Sequence, residues 1–138
     1  MRHTCPTMSD NPATASLTAG RADPTDDLFV VERPWGRFEQ FVTNEPCTVK
    51  IITVQPGHRL SLQTHDRRGE FWRILDGTLR VTVGHDTRTV RSGDSVWIPV
   101  RTLHRMESLG DTPVRVLEIA FGDFDEADIV RHDDDYAR

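Results

Sequence analysis

Gln63, His65, Glu70 and His104 are the residues whose types and spacing carry chemistry. Gln63-Thr64-His65 stands five residues after Gly57, Glu70 follows His65 after four more, and Gly77 follows Glu70 after six. A second run reads Gly93, five residues, Pro99, one residue, Arg101, two residues, His104, three residues, Ser108. Side chains of an extended segment alternate between faces, so Gln63 and His65 point the same way. Glu70 returns after a turn on a neighbouring strand, on the face of Trp72 and Ile74. His104 opens a later strand and closes the set from across a barrel. Two imidazoles, a carboxylate and an amide oxygen make a mixed nitrogen and oxygen set suited to divalent zinc, iron, manganese, nickel or cobalt. Such a set leaves positions open for water or substrate, as a catalytic site needs. Each of the four alone reads as an ordinary polar group; their shared register with the glycines and the proline points to a metal. The other histidines lack that register: His3 falls in a polar leader, His85 in a hairpin turn, His132 in an acidic tail, and His58 beside the Pro56-Gly57 turn.

Positioning these groups falls to short apolar runs. Phe38–Val42, Cys47–Val54, Glu70–Leu75, Thr78–Val83, Thr87–Val90, Ser95–Ile98, His104–Ser108 and Val114–Phe121 are rich in Val, Ile, Phe, Trp and Thr and read as strands. Pro56-Gly57, Asp76-Gly77, Gly84-His85-Asp86, Ser92-Gly93-Asp94 and Gly110-Asp111 are the turns between them. Many short strands at regular spacing predict an all-β sandwich or closed barrel. Residues 1–27 are polar and aperiodic and predict a disordered leader, with a single folded domain over 28–138. Asp125–Arg131 predicts one or two helical turns.

At 138 residues the chain has room for one domain, and its formal net charge of -5 argues against general nucleic-acid binding. Asp123, Asp125, Glu126, Asp128 and Asp133 to Asp135 read as a solvated acidic surface. Cys5 and Cys47 suggest no disulfide framework, and Cys47 reads as a small buried residue in a reducing compartment. No stretch reaches the ~20 apolar residues of a membrane span, and the leader lacks a secretory apolar core, so the expected location is cytoplasmic. Lys50 is the sole lysine.

The two half-motifs resemble the paired motifs of the cupin superfamily, with Gln63 where many cupins have a first histidine. Arg33-Pro34-Trp35-Gly36, Val49-Lys50, Pro56-Gly57, Leu60 to Gln63, His65, Arg68, Glu70, Trp72, Gly77-Thr78, Ile98-Pro99, His104-Arg105 and the ending Ile129-Val130-Arg131 with Asp134, Tyr136 and Arg138 narrow the resemblance to type II phosphomannose isomerases. It implies a double-stranded β-helix, or jelly-roll barrel. It also implies a divalent metal, zinc first, on Gln63, His65, Glu70 and His104. The activity implied is interconversion of mannose 6-phosphate and fructose 6-phosphate. In that family the module follows, or stands apart from, a nucleotidyltransferase domain that makes GDP-mannose. The sequence departs from the family at Asp66, Arg67 and Phe71, each replacing a histidine, and at Ser108, Ala120 and Ala137. These changes predict a rewritten substrate-facing rim.

Isomerisation of a hydroxyaldehyde needs a base at C2, for which Glu118, mid-strand between Leu117 and Ile119, and His58 are candidates, with Asp66 behind them. Arg33, Lys50, Arg68 and Arg105 match family positions and suit a phosphate, while Trp72 and Trp35 suit a pocket wall. The function expected is thus a metal-dependent isomerase or epimerase of a sugar phosphate or other small hydroxycarbonyl substrate. The alternatives are a biosynthetic metal cupin of different chemistry and a non-catalytic binding cupin. Phe71 and Leu75, apolar on the face opposite Trp72, predict a homodimer that covers them.

Overall fold

The computed structural model describes residues 22–136. After a 3-10 turn at Pro24–Asp27 come β1 (Phe29–Arg33), β2 (Gly36–Gln40), β3 (Thr48–Val54), β4 (Leu62–Thr64) and β5 (Arg68–Asp76). β6 (Thr78–Val83), β7 (Asp86–Arg91), β8 (Ser95–Ile98), β9 (His104–Ser108), β10 (Val114–Gly122) and β11 (Val130–Asp133) complete the fold. One antiparallel sheet has the order β3-β10-β5-β8 and a second β11-β4-β9-β6-β7, while β1 and β2 pair only with each other. The two large sheets enclose a core of Val54, Trp72, Ile74, Leu79, Val81, Val90, Val96, Ile98, Met106, Val114 and Val116, the all-β jelly roll expected.

The period-two pattern does more than bury a face. Inward residues read Val114, Val116, Glu118 along β10, Ile74, Trp72, Glu70, Arg68 along β5 in reverse, and Val54, Ile52, Lys50 along β3 in reverse. Register places Val116 opposite Ile52 and Ile74, and Glu118 opposite Lys50 and Trp72. The barrel is therefore apolar at one end and charged at the other. Sequence order along three antiparallel strands creates that gradient.

On the outer face of the first sheet, Phe71, Ile119 and Phe121 form a second core under Leu28, Phe41, Val42, Trp97 and Leu117. Phe71 is thus covered by its own chain, which removes the reason given for a dimer, and it faces away from the charged end rather than lining a rim. Four further readings are corrected. Cys47 is exposed, because its strand begins one residue later. Segment 125–131 forms no helix: it makes a single hydrogen-bonded turn, with Asp128 N–H on the Asp125 carbonyl at 3.0 Å, before entering β11. Residues 24–27, counted with the leader, form the 3-10 turn, capped by the Asp23 side chain on Thr25 N–H, with Pro24 buried. Trp35, a proposed pocket wall, is 73% exposed in the β1–β2 turn. The rest of the leader, residues 1–21, lies outside the described residues. Among the described residues no helix is long and apolar enough to cross a membrane.

Candidate metal centre

Three of the four expected ligands converge at the charged end. His65 immediately follows β4, Glu70 lies on β5 and His104 opens β9, and one ligand atom from each lies within 4.8 Å of the others. All three are buried. His65 Nε2 stands 3.0 Å from Glu70 Oε1, and His104 Nε2 3.5 Å from Oε2. Each imidazole is oriented by its other nitrogen: His65 Nδ1–H donates to the Asp128 carbonyl at 2.7 Å and His104 Nδ1–H to the Thr102 carbonyl at 2.8 Å. With Nδ1 committed as a donor, each ring directs its Nε2 toward Glu70. Cis ligands about 2.1 Å from a shared ion lie about 3 Å apart, so this donor set fits a divalent metal.

The surroundings tune these groups. Burial disfavours the Glu70 carboxylate, but the His65 hydrogen bond and the charges of His104, His65 and Arg68 hold it down at about 2. Burial pushes the His104 imidazole below its ordinary value, toward the neutral form that ligates. Trp72 Nε1–H donates to Glu70 Oε2 at 3.1 Å, and the Trp72 ring meets His104 edge-on. Arg68, also buried, donates from Nε to Glu70 Oε1 at 3.4 Å and from Nη2 to His65 Nε2 at 3.3 Å. The Glu118 carboxyl is raised to about 8 by its burial and by the adjoining Glu70 carboxylate. Between His65 and His104, Arg101 adopts a left-handed φ of 55° and gives its N–H to the His65 carbonyl at 2.7 Å. A residue other than glycine in that region costs about 1–3 kcal/mol, here offset by tying the two ligand segments together.

Gln63 is beside the cluster but turned. Its Oε1 accepts from Ser61 Oγ at 2.9 Å while Nε2 lies 3.4 Å from His104 Nε2. Turning the amide over presents the oxygen instead and asks only that the Ser61 hydroxyl switch from donor to acceptor. Lys50 stands at the rim, its Nζ 2.8 Å from Glu126 Oε1 and 4.3 Å from the Phe124 ring centroid. Arg68 stacks on the same ring at 4.5 Å. Other expected residues are engaged elsewhere. Arg33 donates to the Glu32 carbonyl on the isolated hairpin. Arg105 ties β9 to β11 through the Leu60 carbonyl and Asp133. His58 hydrogen bonds Tyr136 at 2.7 Å in a separate pocket with Arg59 and Leu60. The segment between β10 and β11, which carries Phe124, Asp125, Glu126 and Asp128, packs against the centre and was read from sequence as mere acidic surface.

The family described as mannose-6-phosphate isomerase C-terminal matches residues 23–134. The chain belongs to that family. It is 38% identical to mannose-1-phosphate guanylyltransferase ManC of Salmonella typhimurium over 109 residues, 78% of this chain and 23% of the relative. Identity is also 38% to xanthan biosynthesis protein XanB of Xanthomonas campestris, over 88% of this chain and 26% of that protein. Against alginate biosynthesis protein AlgA of Pseudomonas aeruginosa it is 38%, over 86% and 25%. The chain thus spans about a quarter of each of these relatives' length. Among solved structures, Bacillus subtilis oxalate decarboxylase superposes with a TM-score of 0.57 at 27% identity, over 64% of this chain and 24% of that one. A structure of the same enzyme concerned with its Mn(II) centres gives 0.56 at 28%, over the same shares. A Klebsiella pneumoniae protein with a double-stranded β-helix domain, at 0.56 and 17% over 64% of this chain and 76% of its own, shares the fold alone.

The fold is a cupin. The relatives correct the expected activity, however. ManC is named for guanylyl transfer to mannose 1-phosphate, a nucleotidyl transfer, XanB and AlgA for polysaccharide biosynthesis, and none of the three for isomerising a sugar phosphate.

Proposed function

We propose that this domain holds one divalent metal ion on His65, Glu70 and His104, with Gln63 turned to complete the set. Through that ion it binds a mannose phosphate in the service of guanylyl transfer. The observation that supports this reading is the convergence of two imidazole Nε2 atoms on a buried carboxylate. The substrate class comes from the relatives, named for mannose 1-phosphate. A bound divalent ion supplies Lewis-acid attraction for a ligand's hydroxyl or phosphate oxygens. The chain's own residues do the rest. Lys50 at the rim offers a phosphate its ammonium. Arg68, buried beneath Phe124, balances the Glu70 charge and keeps the ligands in place. Trp72 walls the centre on the barrel side and fixes Oε2.

Purified protein, stripped with chelator and reloaded with Mn2+ or Zn2+, is expected to take up one ion per chain. Titration calorimetry is then expected to show metal-dependent binding of mannose 1-phosphate. The His65→Ala/His104→Ala variant should lose both. Full metal occupancy in that variant, or sugar-phosphate binding that survives chelation unchanged, would overturn the proposal.

A further inference from the structure

One residue of the β10–β11 segment touches the centre on both sides of a ligand. The Asp128 carbonyl accepts His65 Nδ1–H at 2.7 Å. Its carboxylate meanwhile accepts two successive main-chain amides just beyond His65, Asp66 N–H on Oδ1 and Arg67 N–H on Oδ2, both at 3.0 Å. The side chain is only 8% exposed, unlike the acidic residues around it. Arg68 Nη1 adds a donor to the Asp125 carbonyl at 3.0 Å and a longer one to that of Asp128 at 3.5 Å.

We propose that Asp128 is the positioning residue of the metal centre, its carbonyl fixing the tautomer and direction of the His65 ring and its carboxylate fixing the turn that sets Glu70 relative to His65. The inference rests on the metal reading above and adds to it a residue far away in sequence. The chemistry selects aspartate. Two successive N–H groups point at one acceptor group, and a carboxylate offers an oxygen to each. Asparagine of the same shape turns an NH2 against one of the amides, and glutamate is a methylene too long. The carbonyl works by a different route. An imidazole that donates from Nδ1 to a fixed acceptor keeps Nε2 free for a metal, and loss of such a partner commonly costs 10- to 100-fold in metal affinity. A merely structural Asp128, stapling one loop to another, would move stability and leave the ligands of the folded protein as they were.

The test uses the full chain with Asp128→Ala and Asp128→Asn. Three quantities are read: thermal midpoint of the metal-free protein, Zn2+ affinity by chelator competition, and the His65 imidazole 15N shifts, which report the tautomer. Wild type is expected to show His65 protonated at Nδ1 before metal is added. Asp128→Ala keeps the main-chain carbonyl but releases the segment that aims it, and is expected to weaken Zn2+ binding 10- to 100-fold and to give His65 mixed tautomers, with Asp128→Asn intermediate. Should Asp128→Ala fail to fold, Asp128→Asn carries the test. Zn2+ affinity within twofold of wild type, together with an unchanged His65 tautomer, in a folded variant of lowered midpoint would overturn the proposal. Failure of wild type itself to bind a divalent ion would instead sink the metal reading, while the His65 tautomer in the metal-free variants still decides the role of Asp128.

Discussion

Glu70 and Glu118 adjoin one another inside the barrel, yet their environments drive them apart, one carboxyl to about 2 and the other to about 8. The consequence for metal-free protein has a definite sign. Between the ordinary value of 4.5 and about 8, folded Glu118 keeps a proton that the unfolded chain has released. Its contribution to stability is therefore complete below 4.5 and is lost as pH rises through about 8. Glu70 acts oppositely, its contribution being present above 4.5 and lost as pH falls toward 2. Thermal melts in chelator should thus fall in midpoint from pH 7 to pH 8.5, above the range where the lowered His104 acts oppositely, and Glu118→Gln should flatten that fall; an unaltered slope in the variant would contradict the assignment. Lys50 gives a second residue-level expectation. Its ion pair with Glu126 is partly solvated and stabilises by at most about 1 kcal/mol. Lys50→Met should therefore barely move the melting midpoint while weakening mannose 1-phosphate binding about tenfold, the equivalent of roughly 1.4 kcal/mol. The convergence of His65, Glu70 and His104 was legible because spacing on alternating strands determines who shares a face. The inward, buried placement of Glu118 was legible for the same reason. Asp128 was not, since no periodicity distinguishes an acidic residue that caps two amides from one that faces water.

Among elements, the strands with apolar alternation were readable almost to the residue, β6, β8 and β9 exactly as the sequence predicts. The missing ones share a physical cause. β4 is three residues long, β11 is Val-Arg-His-Asp and exposed throughout, and β1 is exposed at all but one residue. β4 and β11 exist through main-chain pairing with neighbours distant in sequence, and β1 through its hairpin with β2, none of which composition records. The segment that follows β10 depends on one conformational device. Gly122 has φ of 116°, and a Cβ there would press into the Arg67 carbonyl oxygen and lie 3.3 Å from Arg68 Cα. β10 can thus end hard against the turn that carries the ligands and launch Phe124 to Asp128 across it. Gly122→Ala is expected to lower stability by about 1–3 kcal/mol from the backbone alone. It should also weaken metal binding, because the segment holding His65 is displaced. Chemical denaturation and Zn2+ competition on the same preparation measure the two effects. Retention of wild-type affinity would separate the segment from the site.

At the scale of the molecule, most of the apolar outer face is covered from within, but not all of it. Val49 and Ile51 remain 55% and 57% exposed on β3, an edge strand, and the β1–β2 hairpin shows Phe29, Val30 and Phe38 to solvent. An exposed apolar edge and a hairpin without a supporting sheet both call for a cover, and a second copy would supply each with the other's partner. Light scattering at micromolar concentration is expected to give a dimer, and Val49→Asp with Ile51→Asp a monomer. A monomeric wild type would refute it. The position of β10 has a different kind of consequence. It lies between β3 and β5 in space but follows both by dozens of residues in the chain, and its contacts with each are among the most extensive in the protein. A chain emerging from the ribosome cannot close this sheet progressively. Until residue 122 is out, β3 and β5 each offer a row of unsatisfied amides and carbonyls across a gap the width of a strand. The growing polypeptide must therefore wait open, exposed to any passing strand, and then close in one late, long-range step.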